Sequence, residues 1–111
     1  MNTETDNNEM DQDVIAFKII SNVGMAKSLT MEALYAAKEG NYELAEEKLS
    51  ESKQHFKLGH KIHSKLIQME ASGEKVHPSI ILMHAEDQMM SAETISELVK
   101  EMIEMYKKIN K

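Results

Sequence analysis

The five histidines are the residues of this sequence that could do covalent chemistry. The chain has no cysteine nucleophile, no glycine-rich phosphate loop, no HExxH motif and no pair of Glu-x-x-His motifs of the kind that builds di-iron sites. His84 differs from the other histidines because Asp87 follows it by three residues and Gln88 by four. Such neighbours can orient an imidazole and leave its other ring nitrogen free as a nucleophile near neutral pH. A helix N-terminus close by would favour an incoming phosphoryl group, so His84 is a candidate phosphoryl acceptor.

Two further histidines have a spacing that suits a metal site. His60 and His63 lie three residues apart and share one face of a helix, where they could bind a metal ion together. Interior histidines that bind no metal show the same spacing, so both interpretations stay open. His55 and His77 fall at exposed or loop positions, and we assign them no role.

The composition predicts one all-α domain without disulfide bonds. The chain has 111 residues, four glycines, one proline and no cysteine. So few chain-breaking residues argue against a fold of many strands and turns. No apolar run reaches the roughly eighteen residues that span a bilayer, so we expect no transmembrane helix, no secretory signal and a cytoplasmic location.

Charge is unevenly distributed along the chain. The formal net charge is −6, and five acidic residues fall within the first thirteen positions, which contain no lysine. The remainder is nearly neutral, and all 13 basic residues are lysine. This pattern gives no general attraction for phosphate backbones, so we do not expect nucleic-acid binding. We expect residues 1–12 to be a disordered acidic leader and residues 13–111 to form the domain.

Hydrophobic periodicity predicts an antiparallel three-helix bundle, with helices over about 13–39, 42–70 and 78–110. Gly40 can adopt the left-handed conformation that ends a helix, and Asn41 can cap the next one. So short a joint makes the first two helices antiparallel. Pro78 suits the first turn of the third helix. The predicted core positions are Ile19, Val23, Ala26, Leu29, Ala33 and Ala37 on the first helix and Ala45, Leu49, Phe56, Leu66 and Ile67 on the second.

The third helix carries a stripe typical of a coiled-coil seam. Its second half has apolar residues at alternating spacings of three and four, namely Ile95, Leu98, Met102, Met105 and Ile109. Extended towards the N-terminus, the same stripe runs through Ser91, Gln88, His84 and Ile81. Three thin helices bury little apolar surface on their own. We therefore infer self-association through the third helix.

A family resemblance covers most of the chain, from about residue 19 to 108. The matching stretches are Ile20-Ser21-Asn22-Val23-Gly24-Met25-Ala26-Lys27-Ser28-Leu29, Ala37-Lys38-Glu39-Gly40-Asn41-Tyr42, Leu66-Ile67, Glu70-Ala71-Ser72-Gly73-Glu74-Lys75 and Met83-His84-Ala85-Glu86-Asp87-Gln88-Met89-Met90. The last resembles the V-H-A-Q-D-H-L-M signature of the lactose/cellobiose-type enzyme IIA of the bacterial phosphoenolpyruvate-dependent sugar phosphotransferase system.

The resemblance implies a phosphocarrier, which is a phosphotransferase component with a phosphohistidine intermediate and no free small-molecule product. His84 would accept the phosphoryl group of phospho-HPr and pass it to a cysteine of the cognate IIB, during import of a β-linked disaccharide or oligosaccharide of the cellobiose, lactose or chitobiose class by the membrane component IIC. It also implies a homotrimer of nine helices. Asp87 would meet its two copies around one Mg²⁺ or similar hard divalent cation per trimer, on the threefold axis.

Three positions depart from the family pattern. Gln88 stands where a second histidine is common, so any support that this position gives to the phosphohistidine would come from an amide. Glu86 replaces the usual glutamine and adds a charge that could slow docking of an anionic donor. His63 also stands where glutamine is more usual.

Two alternatives belong to other functional classes. The first is a non-catalytic helical adaptor or regulator that keeps the bundle. It would dock an acidic partner on the lysine row of the second helix, formed by Lys53, Lys57, Lys61 and Lys65, although such a row is also typical of a solvated face. The second is a metal-responsive bundle that uses His60, His63 or Asp87.

Overall fold

The protein is three α-helices in a computed structural model that describes residues 3–110, with side chains described from residue 12 to residue 110. The helices are α1 (Thr3–Lys38), α2 (Tyr42–Ala71) and α3 (Ile80–Ile109). Within these residues no strand is present. The predicted all-α three-helix fold is therefore confirmed.

The start of α1 corrects the sequence prediction. A first helix was expected from about residue 13, but α1 begins at Thr3, so the backbone of most of the expected leader is helical. Adding residues to an existing helix avoids the cost of nucleation, and acidic residues near a helix N-terminus interact favourably with its dipole. The low hydrophobicity of the first twelve residues was therefore not enough to predict where the first helix begins. The division into a leader over 1–12 and a domain over 13–111 stays a prediction.

The joint between α1 and α2 is the predicted glycine stop followed by an asparagine cap. Gly40 has φ +80°, and the backbone N–H of Asn41 donates to the carbonyl of Ala36 at 2.9 Å. The Asn41 side chain accepts a hydrogen bond from the N–H of Leu44 at 3.1 Å. Further along, Lys48 of α2 lies 3.9 Å from Glu32 of α1, as the antiparallel arrangement requires.

The start of α3 differs by two residues from the prediction. Ser79 has an extended backbone and caps the helix, because its Oγ accepts a hydrogen bond from the N–H of Leu82 at 3.1 Å. Pro78 therefore precedes the helix and does not lie in its first turn. A serine cap satisfies a helical N–H, which proline at the first helical position does not do.

Gln12 forms hydrogen bonds to the loop that leads into α3. Its side chain is 3% exposed. Its Nε2 donates to the carbonyl of Lys75 at 3.0 Å, and its Oε1 accepts from the N–H of His77 at 2.9 Å. The buried amide thus satisfies two backbone groups of the loop, the carbonyl of Lys75 and the N–H of His77, which no helical hydrogen bond satisfies.

The helix α1 lies at the centre of the bundle, because it packs against both other helices along its length, whereas the backbones of α2 and α3 lie apart. The predicted core residues of α1, from Ile19 to Ala37, are all buried. On α2 the outcome is mixed: Ala45 and Leu66 are buried, Leu49 and Phe56 are half-buried. The prediction that Ile67 points inward is wrong, because its side chain is 57% exposed.

Small residues explain the face that α2 turns towards α1. The buried residues of α2 recur every seven positions, at Ala45, Ser52, Gly59 and Leu66. Three of these four are small, so the two helices approach closely along a narrow stripe. A prediction that relies on large apolar residues to find the buried face of α2 therefore includes Ile67, which lies outside that face.

A glycine substitution tests this close approach. A Cβ added at Gly59 would lie 2.8 Å from Cγ2 of Val23, a fully buried β-branched side chain that has little freedom to move. Overpacking costs about 1–3 kcal/mol, more than the roughly 1 kcal/mol that alanine gains over glycine in a helix. We therefore expect Gly59→Ala to lower the free energy of unfolding by about 1 kcal/mol in denaturant titrations.

The matched control is Gly24→Ala, because nothing lies within 4 Å of a Cβ at that position of α1. This change should raise the free energy of unfolding by about 0.5–1 kcal/mol. Equal effects of the two substitutions would contradict the close approach of α1 and α2 at Gly59.

One helix of the described chain passes a simple test for a membrane span. The stretch Gln12–Lys38 of α1 is long and apolar enough by length and composition, with a mean hydropathy of 1.2 over its best window. The same stretch supplies the central core of the bundle, including the fully buried Ile19 and Val23. A core helix passes this test for that reason, so the feature is weak evidence for a membrane segment.

Candidate functional site

Three consecutive residues near the start of α3 point in three directions. Ala85 is fully buried in the core cluster that α1 shares with α3. Glu86 reaches α2, where its Oε1 lies 2.6 Å from Nε2 of His63. His84 is exposed to solvent. This turn of α3 therefore contacts both other helices and leaves one imidazole open.

The described surroundings of His84 contain no side-chain partner for its ring. Asp87 is exposed and Gln88 is half-buried, and both lie on the same side of α3 as His84 because residues three and four apart share a helix face. Between residues 12 and 110, His84 forms no side-chain hydrogen bond, either to these two residues or to others. The ring is accessible from solvent.

The contact between His63 and Glu86 joins α2 to α3. The side chain of His63 is 15% exposed and that of Glu86 is 45% exposed. A carboxylate can only accept here, so the ring nitrogen of His63 donates its N–H. Two of the three residues that depart from the family pattern, His63 on α2 and Glu86 on α3, therefore contact each other.

His60, the other histidine of the pair with three-residue spacing, lies in a different environment from His63. His60 is exposed, and its ring centroid lies 6.4 Å from that of Phe56 on the same helix. Among the described side chains there is no group of three or more residues of the ligand-forming types, histidine, aspartate and glutamate, that could hold a metal ion. His60 and His63 thus have different neighbours, and His63 Nε2 is already engaged by Glu86.

A row of exposed apolar side chains follows the length of α3. We call this row the α3 outer face, formed by Ile80, Met83, Met90, Leu98, Met102, Met105 and Ile109, which are between 41% and 87% exposed. Asp87 lies within the same row and is exposed too. Ile81 and Ile95, which belonged to the predicted seam, are instead half-buried against the core. The seam prediction therefore holds best at its C-terminal end.

The lysine row of α2 is a solvated face. Lys53, Lys57, Lys61 and Lys65 are all exposed. Among the described side chains, none of the four forms an ion pair. Charged residues are typical of the helix face that points away from the core into water.

Known proteins share this fold and sequence. The family model described as the PTS system, lactose/cellobiose-specific IIA subunit, matches residues 14–107. The chain is 40% identical over 103 residues to the lichenan-specific phosphotransferase enzyme IIA component of Bacillus subtilis (strain 168), covering 93% of this chain and 92% of the relative. It is 32% identical over 107 residues to the N,N'-diacetylchitobiose-specific EIIA component of Escherichia coli (strain K12), covering 96% and 90%.

Solved structures agree with these relatives. The crystal structure of the cellobiose-specific enzyme IIA from Bacillus anthracis superposes with a TM-score of 0.87 at 41% sequence identity, covering 89% of this chain and 91% of that one. The fold and these matches define a phosphocarrier component of a sugar phosphotransferase system, a transferase that works through a phosphohistidine. The chain belongs to the lactose/cellobiose-specific IIA subunit family. The adaptor alternative receives no support from these matches.

Membership in the family also places the protein in a relay. Its members act between HPr and a IIB component in sugar transport, and they are soluble proteins of the cytoplasm. The helix Gln12–Lys38 is thus a core helix of a soluble bundle.

Proposed function

We propose that His84 is the phosphoryl acceptor of this phosphocarrier. The bond between phosphorus and the histidine nitrogen of phospho-HPr breaks as a bond forms between phosphorus and a ring nitrogen of His84. In the second step, that bond breaks as a thiolate of the IIB component attacks phosphorus. His84 loses its N–H proton to solvent or to the partner in the first step, and its ring takes up a proton again as phosphorus leaves in the second, so each step exchanges one phosphorus bond for another.

The exposure of His84 in the single chain is the observation that carries this proposal. An in-line displacement needs the donor and acceptor atoms to approach phosphorus from opposite sides, which a buried ring would prevent. Of the other histidines, the ring of His63 is already hydrogen-bonded to Glu86. Gln88 lies on the His84 side of α3 and supports the phosphohistidine as an amide donor, which we expect to affect the rate without being essential.

The cargo is a β-linked disaccharide or oligosaccharide. Similar chains include the IIA components for lichenan and for N,N'-diacetylchitobiose, and the cellobiose-specific enzyme IIA, whose names all refer to β-linked sugars. The carrier transfers phosphate between proteins, so the sugar would be recognised by the membrane component IIC and not by this bundle.

Phosphorylation of the purified wild-type protein tests the proposal. The protein is incubated with phosphoenolpyruvate, enzyme I and HPr, and its intact mass is measured before and after mild acid treatment. We expect a single phosphoryl adduct that acid removes, as is usual for a phosphohistidine. No adduct, or an acid-stable one, would contradict the function.

The α3 outer face supports assembly into a homotrimer. Seven large apolar side chains in one row are more than an isolated small subunit normally exposes in a continuous patch. A threefold arrangement of α3 helices would bury this row and bring three copies of Asp87 together. Two unit charges 4 Å apart repel by about 4 kcal/mol at an effective dielectric of 20, so three carboxylates at close range need a cation. Carboxylate oxygens are the ligands that a hard cation such as Mg²⁺ prefers.

Metal content tests the role of Asp87. We expect the wild-type protein, dialysed against Mg²⁺, to retain about one ion per three chains and the Asp87→Asn variant to retain none, as measured by elemental analysis. The control is Glu93→Gln, which removes an exposed carboxylate from the α2 side of α3 and should not change the metal content. Equal metal content in wild type and Asp87→Asn would contradict the proposed site.

A further inference from the structure

Among the described residues, the helix that carries His84 forms only a few polar side-chain contacts with α2. Near the start of α3 the tie is His63 with Glu86, at 2.6 Å. At the far end, Lys107 lies 3.4 Å from Glu46, and the side chain of Asn110 donates to the hydroxyl of Tyr42 at 3.0 Å. Between these ends α2 and α3 enclose an open groove of about 780 Å³.

The hydrogen bond near the start of α3 adds a polar constraint on the rotation of the helix about its axis at His84. Ala85 packs into a core cluster with Met89 of α3 and Leu66 of α2, so apolar contacts already restrict this rotation. Glu86 holds the α2 side, and successive helical residues are about 100° apart, so fixing Ala85 and Glu86 leaves one direction for His84. The flank that His84 occupies is the one that faces neither α1 nor α2.

The charge of Glu86 has a smaller influence on His84 than this mechanical effect. Residues two positions apart leave a helix about 200° apart, so the two side chains are on opposite flanks. The interaction between them passes through solvent and is screened by salt. By contrast, a hydrogen bond between an imidazole N–H and a carboxylate is charge-assisted and directional, and His63 is largely shielded from competing water.

We propose that His63 is a positioning residue for phosphoryl transfer, which acts through Glu86 to orient the His84 imidazole. This inference rests on the proposed function of His84. His63 does not touch phosphorus or a partner protein in this scheme. Its contribution is to keep the acceptor ring at the angle from which a donor can attack in line, where a small misplacement costs rate without loss of binding.

Single-turnover transfer from phospho-HPr, measured over a range of donor concentrations, tests the inference. We expect His63→Ala and Glu86→Ala each to lower the saturating rate about tenfold, with the donor concentration at half-saturation unchanged. The double variant should be no slower than either single variant, because both changes remove the same interaction. His63→Gln should recover most of the rate, because an amide can still donate to Glu86.

The opposite end of α3 offers a matched control. Glu46→Ala and Lys107→Ala break the other charged tie between α2 and α3, far from His84, and should leave the saturating rate unchanged. Thermal unfolding of all variants shows whether each remains folded at the assay temperature. A comparable slowing in the control variants would overturn the inference, because it would show a general effect of loosening α3.

Other outcomes also overturn it. A double variant slower than both single variants would show that His63 and Glu86 act independently. A raised half-saturation concentration at an unchanged saturating rate would assign the pair to donor docking. If wild type accepts phosphate and the His63 and Glu86 variants transfer at the wild-type rate, this inference alone fails. If wild type accepts no phosphate, the proposed function fails with it.

Discussion

His84→Gln is expected to abolish the phosphoryl adduct. Glutamine has a similar size and polarity and keeps the exposed position near the start of α3. Its amide nitrogen has no available lone pair, because that pair is delocalised onto the carbonyl, so it cannot form a bond to phosphorus. The adduct should fall from about one phosphoryl group per chain to none in intact-mass measurements with phosphoenolpyruvate, enzyme I and HPr.

The other histidines provide the controls for this result. His55→Gln, His60→Gln and His77→Gln should each still acquire the adduct to the same extent as wild type. His63→Gln should also acquire it, because a positioning residue changes the rate of transfer and not its end point. A full adduct on His84→Gln, or its loss on His60→Gln, would assign the acceptor to another residue.

Leu98→Asp is expected to convert the proposed trimer into monomers. Leu98 is 53% exposed in the single chain and lies in the apolar part of the α3 outer face. In a threefold assembly each substitution is present three times, so three carboxylates would enter an apolar contact without a cation. Burying one unpaired charge costs several kcal/mol, and the substitution would place three such charges in the interface. Sedimentation velocity should show one species of about a third of the wild-type mass.

The matched control for this change is Leu58→Asp. Leu58 is 51% exposed, almost the same as Leu98, but it lies on α2 and outside the α3 outer face. The same chemical change there should leave the mass of the assembly unchanged. A trimer that survives Leu98→Asp, or one that Leu58→Asp dissociates, would show that the copies associate through a different surface.

Much of the fold follows from short-range rules that can be applied to the sequence directly. The joint at Gly40 and Asn41 was predictable because a left-handed glycine and a capping side chain depend on neighbouring residues only. The buried stripe of α1 was predictable because apolar residues, large ones and alanines together, mark it at helical spacing. The stripe of α2 was harder to predict, since small residues such as Ser52 and Gly59 give no hydrophobic signal of their own.

The site was predictable in its residue types but not in its geometry. The neighbours of His84 in sequence suggested a hydrogen bond between its ring and Asp87 or Gln88, whereas the described side chains show none to the ring. The contact between His63 and Glu86 depends on the relative rotation and offset of two helices, and local sequence patterns do not encode either quantity. The chemistry of each histidine could therefore be proposed from the sequence, whereas the contact between His63 and Glu86 could be seen only in the packed structure.

The central place of α1 has a consequence for how the molecule holds together on dilution. α1 and α2 form a continuous antiparallel hairpin, whereas the backbone of α3 lies close to that of α1 and apart from that of α2. If copies of α3 clasp one another as proposed, each reactive helix draws part of its stability from its neighbours. The melting temperature of the protein should then rise with protein concentration, and amide hydrogen exchange in α3 should quicken as the copies separate.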